Sequence, residues 1–329
     1  MTETGLPAFA DVEAAAARIA PWAVRTPVVE NADLNARAGA RVLLKLETVQ
    51  RTGSFKFRGA CNVVAQIADA DRAKGVVAFS SGNHGQGVAA AAALFGIAAT
   101  IVMPADAPAA KLDGARALGA ETVFYDRAKD DREAMAEAVT ERGATLIRPF
   151  DDAKIVAGQG TAGLEFARAA AARGVRLEDV LVPCSGGGLV AGTALAFGHE
   201  SPATRVWSVE AEGFDGMARS LAAGRRVAAP GGPASLADAL MAPLPGAVPF
   251  AVAWNRLAGG LAVNEAELAA AVCYAARTLK LVVEPSGAAG LAALLAGRIS
   301  PKDAAGVVMS GGNCDPELLA ACCARAAGP

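Results

Sequence analysis

Short apolar runs alternate with amphipathic, alanine-rich stretches along most of the chain. Residues 75–80 (GVVAFS), 99–104 (ATIVMP), 121–126 (ETVFYD) and 145–150 (TLIRPF) each read as a strand. Between them QGVAAAAALFG, APAAKLDGARALGA and DREAMAEAVTERG carry helical periodicity. A second series follows: a helix over 158–174, a strand over 179–184 (DVLVPC), a helix in VAGTALAFG and a strand over 204–210 (TRVWSVE). Helices over 265–279 and 287–295 and a last strand over 305–310 (AGVVMS) complete it. Ahead of both series lie a helix ending near Ile19 and capped by Asp11, a strand over 41–47 and a helix over about 58–68. The stretch 228–250, rich in Pro, Gly and Ala, reads as irregular. Uninterrupted apolar strands alternating with helices imply βαβ units and parallel sheets buried on both faces, so the predicted class is α/β with two sheets.

Composition narrows the picture. With 329 residues, 53% hydrophobic and 19% charged, the chain has material for about two domains and is too apolar to be disordered. A net charge of −2 with interspersed signs gives no surface for nucleic acid or an anionic membrane. The longest apolar run, 87–103, is shorter than the ~20 residues of a spanning helix. The first residues, MTETGLPAFADVE, lack the regions of a signal peptide, so the expectation is a soluble, cytoplasmic protein. Six cysteines without CxxC spacing read as small buried hydrophobes, and two histidines give little material for zinc.

One lysine changes the reading. In Thr52-Gly53-Ser54-Phe55-Lys56-Phe57-Arg58-Gly59, Lys56 stands between two phenylalanines after a glycine turn. Apolar rings desolvate an ammonium, lower its pKa and leave a nucleophilic amine suited to Schiff-base chemistry. A lysine opening an amphipathic helix is more often a solvated charge. Three turns then follow strand ends, where ligands bind in open parallel sheets: SSGNHG, SGGGL and SGGN. The glycines of SGGGL let backbone N–H groups converge on a phosphate at a helix N-terminus. Gly186-x-Gly188-x-x-Ala191 with Glu210 at the end of the next strand also fits a dinucleotide fingerprint, which makes an NAD-dependent dehydrogenase the rival class.

SFKFRG, SSGNHGQ, SGGGL, EPSGAAGL and SGGN, in this order, resemble the fold-type II pyridoxal-phosphate enzymes, closest to the serine/threonine dehydratase and serine racemase branch. The resemblance implies a tryptophan synthase β-like architecture: a large cofactor-binding α/β domain from residues 1–70 and 153–329, a small α/β domain from 75–152, and pyridoxal 5′-phosphate in the cleft between them. It implies that Lys56 holds the cofactor and then acts as base at the substrate Cα, that Asn83 bonds the phenolic oxygen, and that Ser185, Gly186, Gly187, Gly188 and Leu189 cradle the phosphate. Ser310 would face the pyridine nitrogen with a neutral hydroxyl, and Glu284 would stand near the cofactor. Ser80, Ser81, Gly82, Asn83, His84 and Arg132 would receive the substrate, with Ser81 also the acid/base on the face opposite Lys56.

The implied activity is an ammonia-lyase converting L-threonine and/or L-serine to 2-oxobutanoate or pyruvate. Serine racemase and 3-hydroxyaspartate dehydratase are the alternatives within the same site. Many members hold magnesium or calcium beside the large domain. Here Glu210 is kept, Gly216 stands where a second acid is expected, and Asp215 is the candidate replacement, which leaves the metal undecided. A homodimer, and no appended regulatory domain, complete what the resemblance implies.

Overall fold

The computed structural model describes residues 5–80, 82–105, 114–126, 129–141 and 143–326. Two sheets organise it. The larger is built from Val28–Glu30 (β1), Arg41–Leu46 (β2), Asp179–Pro183 (β7), Arg205–Ala211 (β8), Leu257–Val263 (β9) and Ala304–Met309 (β10), in the order β1-β2-β10-β7-β8-β9. All its pairs are parallel except the edge strand β1, which runs antiparallel to β2. The smaller is built from Val76–Phe79 (β3), Ala99–Pro104 (β4), Glu121–Tyr125 (β5) and Thr145–Leu146 (β6), wholly parallel in the order β5-β4-β3-β6. Every residue of β3, β7 and β10 is buried, as expected where helices cover both faces of a parallel sheet. One face of the larger sheet packs with the helices Glu265–Tyr274 and Pro285–Leu295, and the other with Ala153–Ala172 and Gly188–Glu200. Among the described residues no helix is long and apolar enough to cross a membrane.

Three helices that carry or support the turns approach to backbone contact at glycines. A Cβ on Gly158 would lie 2.7 Å from the Cα of Gly59, one on Gly192 would lie 2.4 Å from the carbonyl oxygen of Val156, and one on Gly163 would lie 2.7 Å from the Cα of Thr193. The helix Ala153–Ala172 is thus in backbone contact with both Lys56–Val64 and Gly188–Glu200. Only glycine permits approaches that close.

The lysine helix Lys56–Val64 is also pinned by charge. Arg58 is fully buried and grips Glu47 with Nε at 2.7 Å and Nη2 at 2.8 Å, and Glu165 with Nη1 at 2.8 Å and Nη2 at 2.9 Å. Lys45 donates to Glu165 as well, and Thr26 donates to Glu47. Burial works against the guanidinium charge, but the two carboxylates outweigh it and hold the Arg58 pKa above its ordinary value. On the same helix Phe57, Ala60, Cys61, Val63 and Val64 join a core with Val76, Ala78, Val88 and Ile101 of the smaller sheet and its helix.

Several boundaries differ from the sequence reading. The first helix is Phe9–Ile19 with Ala8 at its N-cap; Asp11 sits one turn in and accepts from the Ala8 N–H. The lysine helix starts earlier than expected, at Lys56, and stops at Val64. The helix expected over 158–174 starts at Ala153, because Asp152 caps it through the N–H groups of Lys154 and Ile155. Strand 145–150 shrinks to Thr145–Leu146, after which the chain must reach the lysine. The first half of the helix expected in APAAKLDGARALGA, residues 107–113, lies outside the described residues. Strands β1 and β9 and the helix Pro316–Ala326 were not predicted; Gly259 and Gly260 hide β9 by breaking its apolar run.

Removing Arg58 leaves the buried Glu47 carboxylate and the partly buried Glu165 with only Lys45 to compensate them. Arg58→Met should lower unfolding free energy by about 3–5 kcal/mol, read from denaturant melts of the apoprotein at neutral pH.

Candidate active site

The five sequence motifs converge at the C-terminal ends of β3, β7 and β10, where ligands sit in parallel sheets. The loop after β10 zips onto the loop before Lys56: Phe55 N donates to Ser310 O at 3.1 Å, Gly312 N donates to Gly53 O at 2.8 Å, and Ser54 bridges Gly311. Ser310 N in turn donates to Gly287 O at 3.3 Å, bringing in the EPSG turn. The helix Asn83–Leu94 lies directly on the lysine turn, since a Cβ on Gly87 would be 3.1 Å from Lys56 C and Phe57 N.

Lys56 opens its helix, and its Nζ donates to the Pro149 carbonyl at 3.0 Å. Phe55 lies beneath the ammonium, 5.2 Å from ring centre to Nζ. Loss of hydration brings the amine's pKa down to about 8, against the opposing charge of Glu284. Of the two phenylalanines read from the sequence only Phe55 lies beside the amine; Phe57 turns into the core, with Arg51 over its ring. Next to Pro149, the ring of Phe150 covers the glycine turn: a Cβ on Gly186 would be 2.2 Å from it, and one on Gly188 would be 3.4 Å from the Phe150 Cα.

The turn after β7 holds an anion cradle. Gly187 has φ +95° and caps the helix Gly188–Glu200. Among the described residues, none of the amide N–H groups from Gly186 to Val190 donates to a protein acceptor. Gly246 N anchors the turn by donating to Gly186 O at 3.0 Å, and Ser185 Oγ accepts from Ala242 N at 3.1 Å. The Ser185 hydroxyl thus braces the 228–250 stretch. Leu189 is buried in the core below. Unspent donors at a helix N-terminus, with no side chain over Gly186, Gly187 or Gly188 except the Phe150, Met217 and Pro249 neighbours, fit a phosphate.

Asn83 begins the helix after β3, and both ends of its amide are engaged: Nδ2 donates to Glu284 Oε1 at 2.6 Å, and Oδ1 accepts from Asn313 Nδ2 at 2.8 Å. The SGGN motif carries no sign of this role for Asn313 beyond its place three residues after Ser310 in a strand-end turn. Ser80 Oγ accepts from Gly82 N at 3.2 Å. His84 is buried with Nε2 2.9 Å from Ile147 O, and burial together with the charge of Lys56 drives its pKa down to about 3, so the imidazole is neutral. Ser81 and the side chain of Arg132 lie outside the described residues.

Glu210 is fully buried, and its oxygens accept from Met217 N and Ala218 N, both at 2.8 Å. It caps the helix Gly216–Ala223; burial pushes its pKa up to about 8 while the two amides pull it back. A ribose contact, as the dinucleotide reading requires, has no access to it. Asp215 pairs with Arg219 at 3.0 Å. Among the described residues no group of three or more His, Cys, Asp and Glu converges as metal ligands do, and both Glu210 oxygens face a helix N-terminus.

A desolvated lysine, a serine loop bonded to the lysine loop through the backbone and a glycine turn with unspent amides fit a phosphorylated aldehyde cofactor. The family model for "pyridoxal-phosphate dependent enzyme" matches residues 19–311. The chain belongs to this family. It is 42% identical to an L-threo-3-hydroxyaspartate ammonia-lyase of a Pseudomonas species, over 96% of this chain and 98% of that one. It is 38% identical to a serine racemase of Schizosaccharomyces pombe, over 96% and 97%. Among solved structures it is similar to a maize serine racemase, with a TM-score of 0.88 and 35% identity over 96% of each chain. A solved threonine deaminase is as similar in fold, with a TM-score of 0.88 and 44% identity over 94% of this chain and 99% of that one. These place it in the threonine dehydratase, serine racemase and hydroxyaspartate ammonia-lyase branch of the pyridoxal-phosphate enzymes, and the dehydrogenase reading falls.

Half of the Lys56 amine should be neutral near pH 8, where an ordinary lysine, with its pKa of about 10.4, is almost wholly charged. Acylation of Lys56 in the apoprotein, followed by peptide mass mapping, should rise with pH to a midpoint near 8. Exposed lysines in the same sample should lag by about two pH units.

Proposed function

We propose that the chain is an ammonia-lyase acting on L-threonine and L-serine. The observation that carries the reading is the pairing of a partly neutral Lys56 amine with a serine hydroxyl, rather than a carboxylate, at the end of β10. Pyridoxal 5′-phosphate, when bound, supplies the electron sink for the carbanion at the substrate Cα. Lys56 would hold the cofactor and, once freed, take the Cα proton; its lowered pKa makes it a base near neutrality. The amides from Gly186 to Leu189 would bind the phosphate, and Asn83 the phenolic oxygen. Ser310, a neutral donor or acceptor, leaves the ring nitrogen without the charge a carboxylate would stabilise. That weakens the sink and favours prompt loss of a β-hydroxyl.

Among the described residues of this cleft, His84 is neutral and the ring of Phe150 lies over the glycine turn, which supports a substrate with a small side chain. The reading keeps Ser81 as the acid/base opposite Lys56, Arg132 as a partner of the substrate carboxylate, and a division of the chain into 1–70 with 153–329 and 75–152. The second reading is a 3-hydroxyaspartate ammonia-lyase, supported by the 42% identity to the Pseudomonas enzyme.

The test is turnover of the purified holoenzyme. Keto acid and ammonia should form from L-threonine and L-serine in equal amounts, and Lys56→Ala should lower the rate by at least about 10³-fold, the scale of losing a nucleophile and base together. D-serine formed faster than pyruvate would overturn the reading in favour of a racemase. Faster oxaloacetate release from L-threo-3-hydroxyaspartate would favour the second.

A further inference from the structure

A chain of side-chain amides runs across the mouth of the cleft, and its polarity is fixed from one end. The Thr52 carbonyl can only accept, and it receives Asn313 Nδ2 at 2.7 Å. The other hydrogen of that Nδ2 goes to Asn83 at 2.8 Å, so the Asn83 atom facing Asn313 must be its oxygen. Asn83 Nδ2 therefore faces away from Asn313 and donates one hydrogen to Glu284 Oε1 at 2.6 Å. Among the described residues its second hydrogen meets no protein acceptor. Reversing either amide would set acceptor against acceptor or donor against donor.

The backbone makes room for this chain. Thr52 holds a left-handed conformation, φ +60°, that few non-glycine residues adopt. A Cβ on Gly53 would lie 2.3 Å from Asn313 Oδ1, and one on Gly311 would lie 2.0 Å from Glu284 Oε1 and 3.2 Å from Asn83 Nδ2. Two glycines of two separate motifs thus clear space for the same set of side chains.

We propose that Asn313 and Glu284 are positioning residues that lock the Asn83 amide so that it offers an N–H, not a carbonyl, to the phenolic oxygen of the cofactor. The inference rests on the reading of Asn83 as a cofactor contact. Either neighbour alone suffices to hold the amide, because each dictates the same orientation. Loss of both releases it, since a glutamine at 284 can accept or donate.

The experiment is a double-mutant cycle on Asn313→Ala and Glu284→Gln, read as the dissociation constant for pyridoxal 5′-phosphate added to apoprotein and as the visible absorbance of the bound cofactor. Whatever Glu284 does directly to Lys56 appears in its single variant and cancels from the coupling. The double variant should bind the cofactor about tenfold more weakly than the two single effects multiplied together, the scale of one hydrogen bond to a charged group, with a matching change in the visible band. Repeated in an Asn83→Ala background, the coupling should vanish. Additive effects in both backgrounds, or a coupling that survives without Asn83, would overturn the proposal. Failure of the unaltered chain to take up the cofactor would instead sink the functional reading. The amide polarity would still be readable then, as slowed solvent exchange of the Asn83 and Asn313 side-chain amides in the apoprotein, and ordinary exchange rates would overturn it too.

Discussion

The buried guanidinium of Arg58 is the constraint on which the site depends. It stands two residues beyond Lys56 on the same helix, and its bonds to Glu47 and Glu165 tie that helix to the loop after β2 and to the helix Ala153–Ala172. With Lys45, the group contains two positive and two negative side chains, so its net charge is zero where Arg58, Lys45 and Glu47 are buried and Glu165 is only partly exposed. A buried quartet of this kind adds little stability over an apolar core, but removing one member is costly. What it contributes is a unique seat: the helix can neither slide nor rotate without breaking charge-assisted bonds in several directions.

From that seat the rest of the site follows by backbone contact. The loop after β10 bonds to the loop before Lys56 through Phe55, Gly53 and Gly312, which is how Ser310 comes beside the lysine across more than 250 residues of sequence. The small sheet contributes Asn83 and the carbonyl of Pro149. Electrostatics then follow from geometry. Burial lowers both Lys56 and His84, leaving a reactive amine and an inert imidazole as near neighbours.

Much of this was legible in the sequence because glycine-rich turns after apolar strands have few structural explanations. The motif loops carrying Lys56, Asn83, Glu284 and Ser310 meet one another through hydrogen bonds and close backbone approach, and the two parallel sheets followed from uninterrupted apolar runs. Less legible was anything that depends on pairing across the fold. Asn313 looks like an ordinary turn asparagine until Thr52 and Asn83 are seen on either side of it. Arg58 reads as a surface charge on an amphipathic helix until Glu47 and Glu165 appear. Phe150 gave no sign that its ring would lie over Gly186, because the predicted strand 145–150 ends four residues early. Glu210 reads as a strand-end acid until the N–H groups of Met217 and Ala218 are seen to cap their helix on its two oxygens.

The glycine contacts of the helix Ala153–Ala172 have a consequence for the span of the site. One side of that helix touches the helix bearing Lys56 through Gly158 and Gly59, and another touches the helix bearing the cradle through Gly192. It acts as a gauge block: the reach from the amine to the waiting amides is fixed by main-chain thickness, with no rotamer to absorb an error. A single methyl at Gly158 or Gly192 would widen that gauge, and a small molecule tethered at one end would no longer rest at the other.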